Sequence, residues 1–230
     1  MKHFQYYTPI VLQKIGYVFF FILYKTFVQI QIVGSEHIEE SLQSGNSIIL
    51  ASNHTSELDV TALPLVLSFF SSAYPIYFVS NMTQKYKTFG WRSYFYGGFF
   101  FNMLGGYAVH SGSNDYGIAL EDHVKLLTQE RPRTLWIAPE GKRTRNGNMN
   151  PARGGLGYLV HTTNACVIPI AIETFFNISF TDFLRFHRKV ILTVGKPFCK
   201  EELFTTSTPS VDDYQHAGQI VLDRIKQIMA

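Results

Sequence analysis

The sequence predicts an α/β fold: a mixed, mostly parallel sheet flanked by helices, behind a hydrophobic N-terminal helix. Three observations carry that prediction. Short apolar runs rich in β-branched residues recur along the chain, each bounded by Gly, Pro, Asn or Ser. Segments with helical spacing separate them. Such alternation builds a largely parallel sheet with helices on its faces. The third observation is "IGYVFFFILY", residues 15–24, ten uncharged residues apolar on nearly every face.

The elements follow in order. "VQIQIVG" (28–34) alternates as a strand and stops at Gly34, and "EHIEESLQSG" reads as a short helix or turn. "SIILAS" is a buried strand, "ELDVTALPLVLSFF" (57–70) a helix and "IYFVS" a strand. "TFGWRSYFYGGFFFNMLGG" is an aromatic helical segment ending at glycines, followed by a short strand, "YAV". "DYGIALEDHVKLLTQE" (115–130) places Ile118, Leu120, Val124 and Leu127 mostly on one face of a single helix. "RTLWIAP" is a strand, "GGLGYLVHTTN" a helix or turn, and "CVIPIAIE" and "KVILTVGKPF" are strands. "SVDDYQHAGQIVLDRIKQIM" closes the chain as a helix, with Ser210 as N-cap and acids in its first turn.

At 230 residues the chain suits one α/β domain with a small appendage. Charged residues make up only 16%, the net charge is +3, and Phe (20) and Tyr (13) are abundant. This mild basic bias suits an anionic membrane surface or phosphate ligands, and no nucleic-acid module is present. The decapeptide falls short of the ~20 residues a span needs, and no small-residue cleavage site follows it. Residues 1–27 therefore read as a monotopic helix anchored in one leaflet, with a buried core helix as the alternative. Residues 28–230 form the remaining domain. A second uncharged run, 60–84, is interrupted by Pro64, Pro75 and serines, so it divides into a helix and a strand. Cys166 and Cys199 lack metal-ligand spacing and read as reduced thiols. "NIS" at 177–179 matches a glycosylation triplet that is common by chance.

Three constellations carry chemistry. In "NHTSELD", Asn53 and His54 follow a strand and Asp59 comes five residues after the histidine. Five helical residues turn ~500°, which leaves the two side chains ~140° apart. They meet only if His54 sits at the strand end and Asp59 in the first helical turn. A carboxylate on one ring nitrogen then leaves the other free as a base. A helix cap with an incidental histidine is the competing reading. In "APEGKRTRNGNMNPARGG" (138–155), glycines alternate with Lys142, Arg143, Arg145 and Arg153 behind a strand, and Glu140 stands at the strand exit. Glycines admit a ligand to the backbone and guanidinium groups fork onto phosphate oxygens. A solvated basic loop reads the same way. The third, "NMLGGYAVHSG" (102–112), allows a tight turn at Gly105 before a strand.

The order and spacing of "NHTSELD", "LGGYAVHSG", "APEGKRTR" and "VIPIAI" resemble the glycerolipid acyltransferases, which include the lysophosphatidate acyltransferases. The resemblance runs over roughly residues 28–200. It implies His54 and Asp59 as the catalytic pair, with Asn53 beside them, and makes 28–230 an acyltransferase domain. It implies Glu140, Gly141 and Arg143 in acceptor binding, with Lys142 adding charge. Gly105, Ser111, Arg145 and Pro169 fall in supporting positions. His54 would take a proton from an acceptor hydroxyl as the oxygen attacks an acyl thioester of coenzyme A or acyl-carrier protein. No metal or cofactor is required. The acceptor would be a lysophospholipid or a glycerol phosphate, met at the cytoplasmic face of a membrane. A coenzyme-A-independent transacylase and a non-catalytic lipid-binding membrane protein are the alternatives. Three residues depart from the family pattern: Ser111 replaces an arginine, Asn81 a lysine, and Lys142 a threonine. They shift the expected acceptor toward a larger head group and leave the chemistry alone.

Overall fold

A computed structural model describes residues 3–80, 99–110, 115–173, 176–177, 181, 183 and 188–229. Seven strands form one sheet in the order β1-β7-β6-β2-β5-β3-β4. They are β1 (Val28–Val33), β2 (Ile48–Ser52), β3 (Ile76–Ser80), β4 (Gly106–Ala108), β5 (Thr134–Ile137), β6 (Cys166–Glu173) and β7 (Arg188–Val194). Every pairing is parallel except β6 with β7. The mixed, mostly parallel sheet expected from the sequence is therefore what forms.

β2 lies at the centre, between β5 and β6, and all five of its residues are buried. Its two faces serve two cores. Ile48 and Leu50 join Trp136, Ile168, Ile170 and Tyr24 on one side, while Ile49 and Ala51 join Leu135, Val167, Leu156 and Val221 on the other. The period-two alternation of strand side chains produces this division. A strand covered on both faces reads as a continuous apolar run, which is why "SIIL" carries no polar residue after Ser47.

Helix α1 (His3–Phe27) packs on the first core beside α3 (Asp59–Ala62) and α4 (Phe99–Met103). Helices α7 (Gly155–Thr163) and α9 (Val211–Gln227) cover the other face. Short helices α2 (Glu36–Gln43), α5 (Tyr116–Ala119), α6 (Glu121–Leu127) and α8 (Lys200–Leu203) are also present among the described residues. Ser210 caps α9 as expected: its Oγ accepts the Asp213 N–H at 3.2 Å, and Asp213 Oδ2 accepts the Ser210 N–H at 2.7 Å.

Three expectations are corrected. The helix foreseen over 57–70 is only α3 plus a 3₁₀ turn at Leu63–Val66. Pro64 has no N–H to continue the ladder. The single helix foreseen over 115–130 breaks at Leu120, whose ψ of 15° departs from helical values. The break re-aims the face, leaving Ile118 exposed while His123 is buried beside Leu126 and Leu127. Finally, Cys166 and Cys199 are joined in a disulfide rather than reduced. Val167 and Phe198 exchange both backbone hydrogen bonds at 2.7 Å across an antiparallel bridge. The next pair outward is then a non-hydrogen-bonded pair, with close Cα atoms, and Cys166 and Cys199 occupy it at a Cα separation of 4.4 Å. Most of the aromatic segment, residues 81–98, lies outside the described residues. So do Asn81 and Ser111.

Candidate active site

The site gathers at the C-terminal ends of β2 and β5, neighbouring parallel strands. In open α/β sheets ligands collect at this edge. Asn53, first residue past β2, is fully buried and lends nothing to the opening. Its side-chain amide donates to the Ile172 carbonyl at 2.8 Å and accepts the Ile172 N–H at 2.8 Å. It imitates one more peptide of the ladder with β6 and so fixes where the chain leaves the sheet.

His54 follows immediately. Its Nδ1 lies 3.0 Å from Oδ2 of Asp59, which begins α3 and is wholly buried. The geometry is the one the spacing demanded, with the histidine at the strand end and the carboxylate in the first helical turn. Oδ2 also accepts the backbone N–H of Thr55 at 2.7 Å and of Ser56 at 2.8 Å. A carboxylate oxygen that takes two amide protons is an acceptor, so Nδ1 is the donating nitrogen. The lone pair then sits on Nε2, to which no described residue hydrogen-bonds. The side chain is 25% exposed, so Nε2 can meet a substrate.

The second loop grips the first. Glu140, just past β5, is 1% exposed. Its Oε1 accepts the His54 N–H at 2.9 Å, and its Oε2 accepts the Asn150 backbone N–H at 2.6 Å and the Asn150 side-chain amide at 2.9 Å. Thr144 N–H donates to the His54 carbonyl at 2.9 Å. Both backbone polar groups of His54 are thus tied to the loop after β5. Glu140 is buried behind His54, and its carboxylate oxygens are occupied by backbone and amide donors. Gly141 has φ +66°, and a Cβ there would stand 2.7 Å from Arg153 Cδ, so the turn requires glycine.

Trp136 walls the site. Its indole N–H donates to Ser52 Oγ at 2.8 Å, and its ring meets the His54 ring edge-on with centroids 6.2 Å apart. Phe78 and Phe101 continue the aromatic wall toward α4. At the mouth, Arg143 Nη1 pairs with Glu57 Oε1 at 3.1 Å, and both are well exposed. Lys142 and Arg145 are exposed on the same loop.

Other residues of the predicted set stand further off. Gly105 has φ +98° and sits against Ile76 and Gln13, where it serves the turn into β4. Pro169 lies inside β6, and its carbonyl accepts the Gly195 N–H at 2.8 Å. Residues that sequence reasoning did not single out are Thr144, Asn150, Trp136 and Glu57. The contacts of Thr144, Trp136 and Glu57 cross between distant segments, while Asn150 bonds Glu140 within one loop. Only the proximity of Thr144 and Asn150 to the basic loop hinted at them.

A family model described as Acyltransferase matches residues 29–173. Among solved structures, the fold resembles the 1-acyl-sn-glycerophosphate (LPA) acyltransferase PlsC from Thermotoga maritima, with a TM-score of 0.59 at 19% identity. That match covers 96% of this chain and 80% of the other. No curated protein matches the sequence at a significant level. The family model takes in more than half of the chain, including both loops of the site and the strands that carry them: the chain belongs to the acyltransferase family.

Proposed function

We propose that this O-acyltransferase moves a fatty acyl group from a thioester of coenzyme A or acyl-carrier protein to a hydroxyl of a lysophospholipid, with His54 as general base. The observation that carries the reading is the His54–Asp59 pair, set at a strand end with Nε2 open. As the acceptor oxygen attacks the thioester carbonyl, Nε2 takes the hydroxyl proton. The C–S bond then breaks and the imidazolium returns the proton to the leaving thiolate. Ester and free thiol result, and the base is regenerated. Asp59 holds the tautomer and stabilises the imidazolium. The solved relative is a 1-acyl-sn-glycerophosphate acyltransferase, which supports a lysophospholipid here.

We also place the protein on one leaflet of a membrane, at the cytoplasmic face where such thioesters occur. Residues Tyr7–Phe27 form a helix apolar enough to cross a bilayer, with mean hydropathy 1.4 and little of it buried. Its exposed residues include Tyr7, Val11, Ile15, Val18 and Ile22, a stripe at helical spacing. Its opposite side packs along the domain, which favours lying in the interface over crossing.

The experiment combines free-thiol release with mass spectrometry of products, using purified protein, both thioester donors and a panel of lysophospholipids. Stoichiometric thiol and acylated product are expected. Product without a thioester donor would indicate transacylation, and acceptor binding without thiol release a non-catalytic lipid binder.

A further inference from the structure

We propose that the turn at residues 68–71 is a second membrane-inserting element, which seats Phe70 in the same leaflet as α1 and brings Lys14 and Lys25 to anionic lipid head groups. The proposal rests on the reading of α1 as a helix that lies in the membrane interface.

Phe70 is 89% exposed, more than any other large apolar side chain among the described residues. A lone apolar side chain on a surface needs no explanation, but this ring is not alone. Phe69 stands edge-on to it with centroids 5.1 Å apart, Tyr17 of α1 lies edge-on to Phe69 at 5.5 Å, and Phe21 stacks on Tyr17 at 6.0 Å. Tyr17 and Phe21 are four residues apart, so they share a helix flank, and that flank borders the outward stripe at Val18 and Ile22. The apolar surface of the helix thus continues through successive rings onto the turn.

The turn itself suits lipid. Phe69 and Phe70 are its two central residues, because the Ser71 N–H donates to the Ser68 carbonyl at 3.0 Å. Ser68 Oγ accepts the Phe70 N–H at 3.2 Å, and Ser71 Oγ accepts the Ala73 N–H at 3.2 Å. Backbone donors already satisfied within the turn cost little to remove from water. Two cations stand over the rings. Lys14 Nζ is 4.6 Å from the Phe69 centroid and 4.0 Å from that of Tyr74, and Lys25 Nζ is 5.7 Å from that of Phe21. Among the described residues neither ammonium has a carboxylate partner. Rings flanked by unpaired lysines match the head-group level of a leaflet, where the ring enters acyl chains and the ammonium meets phosphate. A second copy of the chain is a poorer fit, since lysine is depleted where proteins bury surface against each other.

The test uses purified full-length protein and vesicles of phosphatidylcholine, with or without phosphatidylglycerol, in plain form and with brominated acyl chains. Phe70→Trp supplies a reporter at the tip of the turn, and Asp212→Trp supplies one on α9 across the sheet. The wild type corrects for the two native tryptophans. Emission of Phe70→Trp should shift to the blue on bound vesicles and be quenched by the brominated chains, and that of Asp212→Trp should do neither. Phe70→Ser should keep its circular dichroism spectrum and lose about tenfold to a hundredfold in vesicle partition, the worth of burying a phenylalanine ring. Lys25→Gln should lose about fivefold on anionic vesicles and nothing on neutral ones. If Phe70→Trp binds vesicles without added quenching, the proposal is overturned and the placement of α1 stands. Unchanged partition of Phe70→Ser would overturn it too, as would unchanged partition of Lys25→Gln onto anionic vesicles. If Phe70→Ser loses self-association and keeps its vesicle binding, the ring meets a second copy and the proposal is wrong. A wild type that stays off both kinds of vesicle would sink the reading of α1, and the proposal with it.

Discussion

At the residue scale, what distinguishes His54 is how little freedom it has. Its ring is fixed by a buried carboxylate, its N–H by Glu140, its carbonyl by Thr144 and its ring edge by Trp136. Glu140→Gln would place an amide NH2 where one of two donor sets now finds an acceptor. Leaving a buried donor unpaired costs about 1–3 kcal/mol. The expected outcome is a fall in kcat at nearly unchanged KM, with a matching loss in denaturant stability. A change confined to KM would show that Glu140 meets the acceptor itself. His123 makes a separate prediction. Burial lowers its pKa from 6.5 to about 4, against the opposing contact to the Tyr107 carbonyl. The unfolded chain binds this proton from about pH 6.5 downward, while the fold resists it until about pH 4. The stability present above pH 6.5 is therefore lost as the pH falls through that window. Its contribution should drop by about 2 kcal/mol between pH 7 and pH 5. Urea unfolding at the two pH values checks this, and His123→Gln should flatten the difference.

At the element scale, α1 is built into the domain. The Gln13 side-chain amide donates to the carbonyls of Ile76 and Leu104 at 2.6 and 2.7 Å and accepts the Ile76 N–H at 2.9 Å. The Tyr24 hydroxyl meets Thr61 Oγ1 at 2.6 Å, two residues past Asp59. One side of α1 therefore binds the β3–β4 corner and α3, while its apolar stripe faces outward. Detergent, and not high salt, should release the protein from membranes, because salt screens charge and leaves apolar contact intact. Recovery of untreated protein in a high-speed supernatant would show that the stripe is not a membrane surface. The disulfide belongs to this scale too. Its sulfurs close a loop with a sequence separation of 33, for which loop-closure entropy suggests about 4 kcal/mol. Cys199→Ser should lower stability by about 2–4 kcal/mol in oxidised protein and change nothing under full reduction.

At this scale the sequence was informative where the signal was local. "SIILAS", "RTLWIAP" and "CVIPIAIE" announced buried strands through uninterrupted apolar runs, and the Ser210 cap through its acids. The break at Leu120 was hidden because the apolar spacing around it suits one continuous helix. The disulfide was hidden because it depends on register between Val167 and Phe198, segments far apart in the chain. The site divides in the same way. His54 and Asp59 stood out as a candidate pair from their five-residue spacing and the strand before them, with a helix cap as the competing reading, and the family resemblance decided between the two. Glu140 was legible as a strand-exit residue. Its hold on the His54 backbone was not, since that bond spans 86 residues.

At the scale of the whole molecule, topology does what no single motif can. After β2 the chain passes over to β3 and β4, then returns through α6 to insert β5 between β3 and β2. That return sets the "PEGKR" loop against the "NHTSELD" loop at one edge of the sheet. The chain then crosses through α7 to β6, and Asn53 fastens the exit of β2 to it. The same edge faces the aromatic wall of Trp136, Phe78 and Phe101, which leads toward α4 and α1. His54, the cations and the apolar helix thus meet at one side of the sheet, the arrangement that the proposed acyl transfer at a lipid surface would use. The central claim is that a fixed, accessible imidazole performs the proton transfer. It is tested most directly by turnover of purified His54→Ala and Asp59→Asn proteins, with circular dichroism to verify the fold. General-base assistance is worth ~10²–10⁴-fold, so His54→Ala should lose at least that much, and Asp59→Asn should keep weak activity because its imidazole remains. Turnover near wild type in folded His54→Ala would contradict the account.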